Sequence, residues 1–210
     1  MADPRVASAL RWLEAHASKS VRDGMLRYAI PNDHALALAL WKTGVYEAQM
    51  LCAYVDEPTR VTAAQMDAQA RAFDNWAICD TLCFALWVRT PHAFAKIRKW
   101  ATSRDEFVKR ASFALLASVA LKDEAASDAG FLRGLKLIEK AATDERNFVK
   151  KAVNWALRGI GSRNLALNEA AVALSKKLAA SKEPAPRWIG KDALRQLGSP
   201  ATRRRLAARS

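Results

Sequence analysis

Histidine, cysteine, glycine and proline are all scarce in this chain, and each shortage excludes a class of protein. The three histidines, His16, His34 and His92, lie in unrelated segments, none with a visible partner for base catalysis. Cys52, Cys79 and Cys83 are an odd number of thiols in apolar stretches, which reads as reduced, buried residues and not as a disulfide framework. Cys79 and Cys83 stand four positions apart, but no histidine or second cysteine pair completes a tetrahedral set, so neither a metal nor a cofactor is expected. No apolar run approaches the ~20 residues that cross a bilayer, and no charged-then-apolar segment follows Met1-Ala2-Asp3-Pro4. A soluble cytoplasmic protein is expected, with no membrane association, because its helices lack the aromatic and lysine segregation of an interfacial helix.

Apolar residues make up 51% of the 210 residues, enough for a core in one domain or one short repeat array, and a single domain over 1–210 is expected. Lysine and arginine total 34 against 21 acidic residues, a net charge of +13 and a pI near 10.1. Such a balance points to a polyanionic partner, nucleic acid first, with a merely solubilising basic surface as the alternative reading.

Alanine, leucine, lysine and arginine fill the segments between the few glycines and prolines, which is an all-helical composition. Thr62 with Gln65 and Ser103 with Glu106 have capping-box spacing, while Thr90-Pro91 and Ser199-Pro200 put a cap residue before a first-turn proline. The expected helices are 4–17, 21–28, 33–43, 45–55, 62–72, 74–88, 91–101, 104–120, 128–141, 144–160, 164–179, 186–197 and 200–208. Almost every link is short, as in antiparallel hairpins stacked side by side.

Phe107-Val108-Lys109-Arg110-Ala111 recurs as Phe148-Val149-Lys150-Lys151-Ala152, the internal echo of such a stack. Successive second helices begin near Tyr46, Asn75, Phe107 and Phe148, close to the spacing of HEAT-type repeats. The expected fold is therefore a right-handed α-solenoid with a concave wall built from the exposed faces of second helices. Phe107, Ala111 and Ala114 are expected to face the core while Lys109 and Arg110 project elsewhere, and Phe148, Ala152 and Leu157 repeat the scheme against Lys150 and Lys151. Arg158 and Arg163 extend the same basic region, which would contact phosphates unless these are only solvated faces. The basic end, Arg203-Arg204-Arg205 and Arg209, is either a backbone contact or a frayed tail. Trp12, Trp41, Trp87, Trp100 and Trp188 sit among alanines and leucines and read as packing residues.

Trp76-Ala77-Ile78-Cys79-Asp80, the Phe107–Ala111 segment and Asn147-Phe148-Val149-Lys150-Lys151-Ala152-Val153-Asn154-Trp155-Ala156-Leu157-Arg158 together resemble the HEAT-repeat DNA alkylation-repair glycosylases, the AlkD-like proteins of bacteria. The resemblance covers most of the chain. It implies a monomeric enzyme on double-stranded DNA carrying alkylated bases, nucleoid-associated when bound. Its substrates would be cationic purines such as N3-methyladenine and N7-methylguanine, excised without flipping the base into a pocket, as ordinary glycosylases do. Carried over, Asp80 is the catalytic carboxylate, Trp76 and Trp155 line the deoxyribose, and Arg110 holds the nearby phosphate backbone. The chain departs from the family where Arg27-Tyr28-Ala29-Ile30-Pro31 passes almost directly into Asn32-Asp33-His34, so that the first repeat is about a helix short near 28–34. Some relatives bind DNA without excising bases.

The chemistry suits these residue types. A cationic purine is already a good leaving group, so help is needed at the sugar, which becomes oxocarbenium-like as the glycosidic bond stretches. An ionised carboxylate stabilises that charge and orients a water, and each indole face attracts a cation by ~0.5–2 kcal/mol. Trp76 and Asp80 fall on one helix face, whereas Trp155 and Arg110 must arrive by stacking of later repeats. The basic neighbourhood is expected to lower the Asp80 pKa. Other readings stand beside this one: Asp80 merely pairs with a structural arginine, the chain is a non-catalytic module for distorted or branched DNA that dispenses with Asp80, or it is a scaffold for protein partners.

Overall fold

The computed structural model describes residues 4–16 and 32–208, and among these every regular element is helical. We number the α-helices in chain order: α1 Pro4–His16, α2 His34–Lys42, α3 Tyr46–Val55, α4 Ala63–Arg71, α5 Trp76–Thr81, α6 Ala93–Trp100, α7 Glu106–Lys122, α8 Asp128–Ala141, α9 Asn147–Ile160, α10 Leu165–Ala179, α11 Pro184–Leu197 and α12 Pro200–Ala207. The expected helix 21–28 and the short passage into Asn32 lie outside the described residues, except for the end near Asn32 itself.

Side chains fix most starts. Asp33, Thr62, Asn75, Asn164 and Ser199 each accept a bond from the amide of the third residue of the helix they open. Pro200 then takes the first helical position, where no amide is missed. Ser103 is no helix cap: its hydroxyl accepts from the Asp105 amide at 3.1 Å and shapes the turn before α7. Asp144 and Ser181 hold the turns before α9 and α11 in the same way, accepting from Arg146 and Glu183. Thr90 also opens no helix, since its hydroxyl donates back to the Trp87 carbonyl and α6 begins only at Ala93.

The expected single helix 74–88 is broken. After Thr81 the chain widens into a π turn over Leu82–Leu86 and tightens into a 3-10 turn over Trp87–Arg89. The inserted residue lets Leu86, Trp87 and Val88 all face the core. There the Trp87 ring packs 5.6 Å from Phe73 and 5.3 Å from Trp100.

Pairs of antiparallel helices stack into a HEAT-like solenoid. Its second helices pack side by side in the order α5, α7, α9, α11, with α4, α6, α8 and α10 behind them. One apolar core runs from Ala53 to Leu197, and a smaller one joins α1, α2 and α3 around Leu36, Leu40 and Leu51. The second helices start at Tyr46, Trp76, Glu106 and Asn147, each at or one residue from its expected position, and a further one starts at Pro184, two residues before the helix expected from 186. The helix α7 departs from the expected wall, because every residue from Arg110 to Ala120 is buried. Alanines at 111, 114, 117 and 120 let its neighbours close over it, so only its two ends, the first turn and Leu121-Lys122, reach the surface.

The last repeat locks by close approach. A Cβ on Gly190 of α11 would fall 2.5 Å from the Ser175 carbonyl oxygen of α10 and closer still to the Ala179 amide nitrogen. Backbone cannot yield as a side chain tip does, so Gly190→Ala should destabilise the protein by about 2 kcal/mol or more. A urea midpoint lowered accordingly, with the slope unchanged, checks it.

Candidate active site

Asn75 opens α5 by accepting from the Ile78 amide at 3.0 Å, which sets Trp76 at the first helical position with its indole 52% exposed. Asp80 follows one turn later on the same face. Two thiols flank it and tie this stretch to α7, Cys79 of α5 donating to the Phe107 carbonyl and Cys83 of the following π turn to the Ala111 carbonyl at 3.5 Å. Arg110 lies between those two carbonyls in sequence, so the anchoring that fixes α5 also brings Arg110 to Asp80.

The pair is bidentate: Arg110 Nε donates to Asp80 Oδ1 at 2.9 Å and Nη2 to Oδ2 at 2.6 Å. Arg110 Nη1 donates to the Phe148 carbonyl of α9 at 2.7 Å, and the guanidinium stands 5.9 Å from the Phe148 ring. One side chain thus joins α5, α7 and α9. The expectation that Arg110 projects away from the core is corrected: its side chain is 8% exposed, against 20% for Asp80. The Asp80 pKa is also corrected in direction, because burial pushes its carboxyl above the usual carboxylate range and the Arg110 hydrogen bonds and charge only partly oppose this. A carboxylate with both oxygens so clamped is poorly hydrated and fixed in orientation.

Phe107 and Phe148 are half-buried neighbours, their rings 5.4 Å apart across the α7/α9 interface, and Phe107 packs against the core as expected. Trp155 is seven positions after Phe148, hence on nearly the same face of α9, and is half-buried against the core. Asp80, Arg110 and Phe148 are thus joined by direct bonds, Trp76 adjoins them through α5, and Trp155 through α9.

The remaining basic residues divide. Lys109 donates to Asp144 at 2.9 Å, and the same carboxylate accepts from Arg146 Nε and Nη2, so Lys109 joins repeats instead of facing solvent freely. Arg163 is a structural cap: its guanidinium donates to the Ala120 carbonyl at 2.8 Å at the end of α7 and lies 4.2 Å from the Phe131 ring. Lys150, Lys151 and Arg158 hold the surface of α9. Lys151 is exposed in the middle of the sector, Arg158 is partly exposed and donates to Gln196, and Lys150 Nζ lies 5.1 Å from the Trp188 ring. Trp188, expected to pack inside, is exposed, whereas Trp87 and Trp100 are buried as expected. Asp144 was not legible as a site neighbour, although it stands four residues before Phe148 as Ser103 does before Phe107.

Among the described residues no group of three or more His, Cys, Asp or Glu side chains comes together to hold a metal, and no helix is long and apolar enough to cross a membrane.

A family model described as "DNA alkylation repair enzyme" matches residues 15–197. The fold is similar to a solved structure described as belonging to a new family of proteins related to the HEAT-like repeat DNA glycosylases with affinity for branched DNA structures. The TM-score is 0.63 at 21% identity, over 80% of this chain and 77% of that one. No curated protein matches the chain.

Two predictions concern the clamps. Arg110→Met leaves Asp80 and the Phe148 carbonyl without their partner and should cost about 3 kcal/mol, read as a lower urea midpoint at pH 7. Arg146, foremost, and then Lys109 hold the Asp144 carboxyl far below the usual range despite its burial. The stability so gained is complete above the unfolded pKa of about 4 and is lost as pH falls toward the folded value. Asp144→Asn should therefore lower stability at pH 7 and flatten its decline between about pH 4 and pH 2, followed by denaturation across that range.

Proposed function

This chain belongs to the family of DNA alkylation repair enzymes, and from that premise we propose that it hydrolyses the N-glycosidic bond of cationic alkylated purines in duplex DNA. The observation that carries the reading is the Asp80 carboxylate, clamped by both arms of Arg110 and one helical turn from the exposed indole of Trp76. As the base departs with its bonding electrons, positive charge grows on the deoxyribose. Asp80 lies in surroundings that hydrate it poorly, so its field on that charge is stronger than in water. Its carboxylate also accepts a hydrogen bond from the water that attacks the anomeric carbon. Trp76 and Trp155 wall the sugar with π faces that favour a cation and ask for no hydrogen bond. Arg110 acts first as a positioning residue: three of its five N–H groups are committed to Asp80 and Phe148, and the other two are left for a phosphate oxygen. Lys150, Lys151 and Arg158 supply the remaining phosphate contacts. No lysine is required for a Schiff base, and the product is an abasic site.

Release of free base from a duplex containing one N7-methylguanine tests the reading. Asp80→Asn should reduce release ~100-fold or more, as expected for loss of an electrostatic stabiliser, while DNA binds as well or better because a negative charge is gone. Full release by that variant overturns the proposal.

A second reading, a non-catalytic module for branched DNA, is favoured by the closed Asp80–Arg110 pair and by the fold similarity at a TM-score of 0.63. It predicts no free base from any lesion. Both readings predict a steep salt dependence of duplex affinity. Replacing Lys150, Lys151 and Arg158 together by alanine should reduce the slope of log affinity against log salt by about 2–3, and an unchanged slope would place the duplex elsewhere.

A further inference from the structure

We infer that Trp188 and the cations around it form a second stacking site, for an unpaired base in the DNA that the α9 surface binds. The inference rests on the DNA-binding part of the function proposed above and is independent of excision. Trp188 lies on α11, whose other face is fixed in the core by Ala185, Ile189, Gly190 and Ala193. The close approach of Gly190 to the α10 backbone holds that helix in place, so the indole is presented outward, 41% exposed, from a rigid element.

Its surroundings are those of a nucleotide and not of a protein partner. Arg187 and Lys191 stand beside it on the exposed stripe of α11, and Lys150 reaches over from α9 to place its ammonium 5.1 Å from the ring. The cleft between them has a volume of about 610 Å³, and three cations line it against a single carboxylate, Glu145. Cations serve phosphates, while the π face serves a base of any sequence. Within a duplex both faces of a base are already stacked, so an unpaired base is the ligand that gains.

Position links this site to the first. At about 100° per residue, Lys151 lies in the middle of the exposed sector of α9, Trp155 and Phe148 toward the α7 side, and Lys150 toward the α11 side. Neighbouring helices of the row are about 10 Å apart, roughly three base steps along a strand. Trp188 would then hold an unpaired base about three nucleotides from the one beside Trp155, a spacing that selects flaps, gaps or bulges over intact duplex.

Fluorescence polarisation with an intact duplex and a matched duplex bearing a short single-stranded flap tests this in the full chain. The unaltered protein should prefer the flap by ~5-fold or more, the least that stacking one base confers. Trp188→Ala should lose that preference while keeping intact-duplex affinity within about 2-fold, and Trp188→Phe should retain most of it. Equal affinity of the parent for both DNAs, or a preference that survives in Trp188→Ala, overturns the inference. Binding of neither DNA by the parent overturns it together with the proposed function, whereas base release that persists without any flap preference defeats this inference alone.

Discussion

Arg110 is the interaction on which the proposed site depends. Its guanidinium takes both oxygens of Asp80 from one repeat and the Phe148 carbonyl from another, while its own backbone belongs to the buried helix between them. The carbonyl it binds lies in the first turn of α9 and already accepts a helical bond, so the guanidinium uses its second lone pair and disturbs no ladder. A buried charge pair adds little net stability over an apolar isostere, but it tolerates few geometries. The carboxylate is therefore aimed by the stacking of three repeats, not by a loop.

The neighbouring ties follow the same logic. Cys79 and Cys83 bond α5 and the π turn after it to carbonyls of α7, Lys109 bonds α7 to Asp144 before α9, and Asn154 and Arg158 of α9 meet Asp192 of α11. Polar links thus run along the row of second helices, while the apolar core holds each helix to its partner behind. An array stabilised mainly between neighbours gains its long-range order this way.

The helices and their pairing were legible because caps, short links and the echo at Phe107 and Phe148 all act over a few residues. The break after Thr81 was not, since Leu82-Cys83-Phe84-Ala85-Leu86-Trp87 is apolar enough to fit either a regular or a widened turn. The carriers of charge were legible as residue types but not as free or paired groups. Lys109 and Asp144 are 35 positions apart and Arg110 and Asp80 are 30 apart, separations at which sequence pattern carries no geometry. Burial of α7 hid itself similarly, because Lys109 and Arg110 look like a solvated face until α5 and α9 close over it. The exposure of Trp188 was hidden by the alanines and leucines of α11, although Arg187 and Lys191 beside it mark the solvent stripe of that helix.

The burial of the thiols has a chemical consequence. Electrophiles that methylate DNA also attack proteins, and among side chains the thiolate is the softest target they meet. Cys52, Cys79 and Cys83 are all inaccessible, and burial drives the Cys52 and Cys83 thiols far above their ordinary pKa. Burial keeps all three out of an electrophile's reach, so a member of an alkylation-repair family is shielded from the same chemical stress that generates damaged DNA.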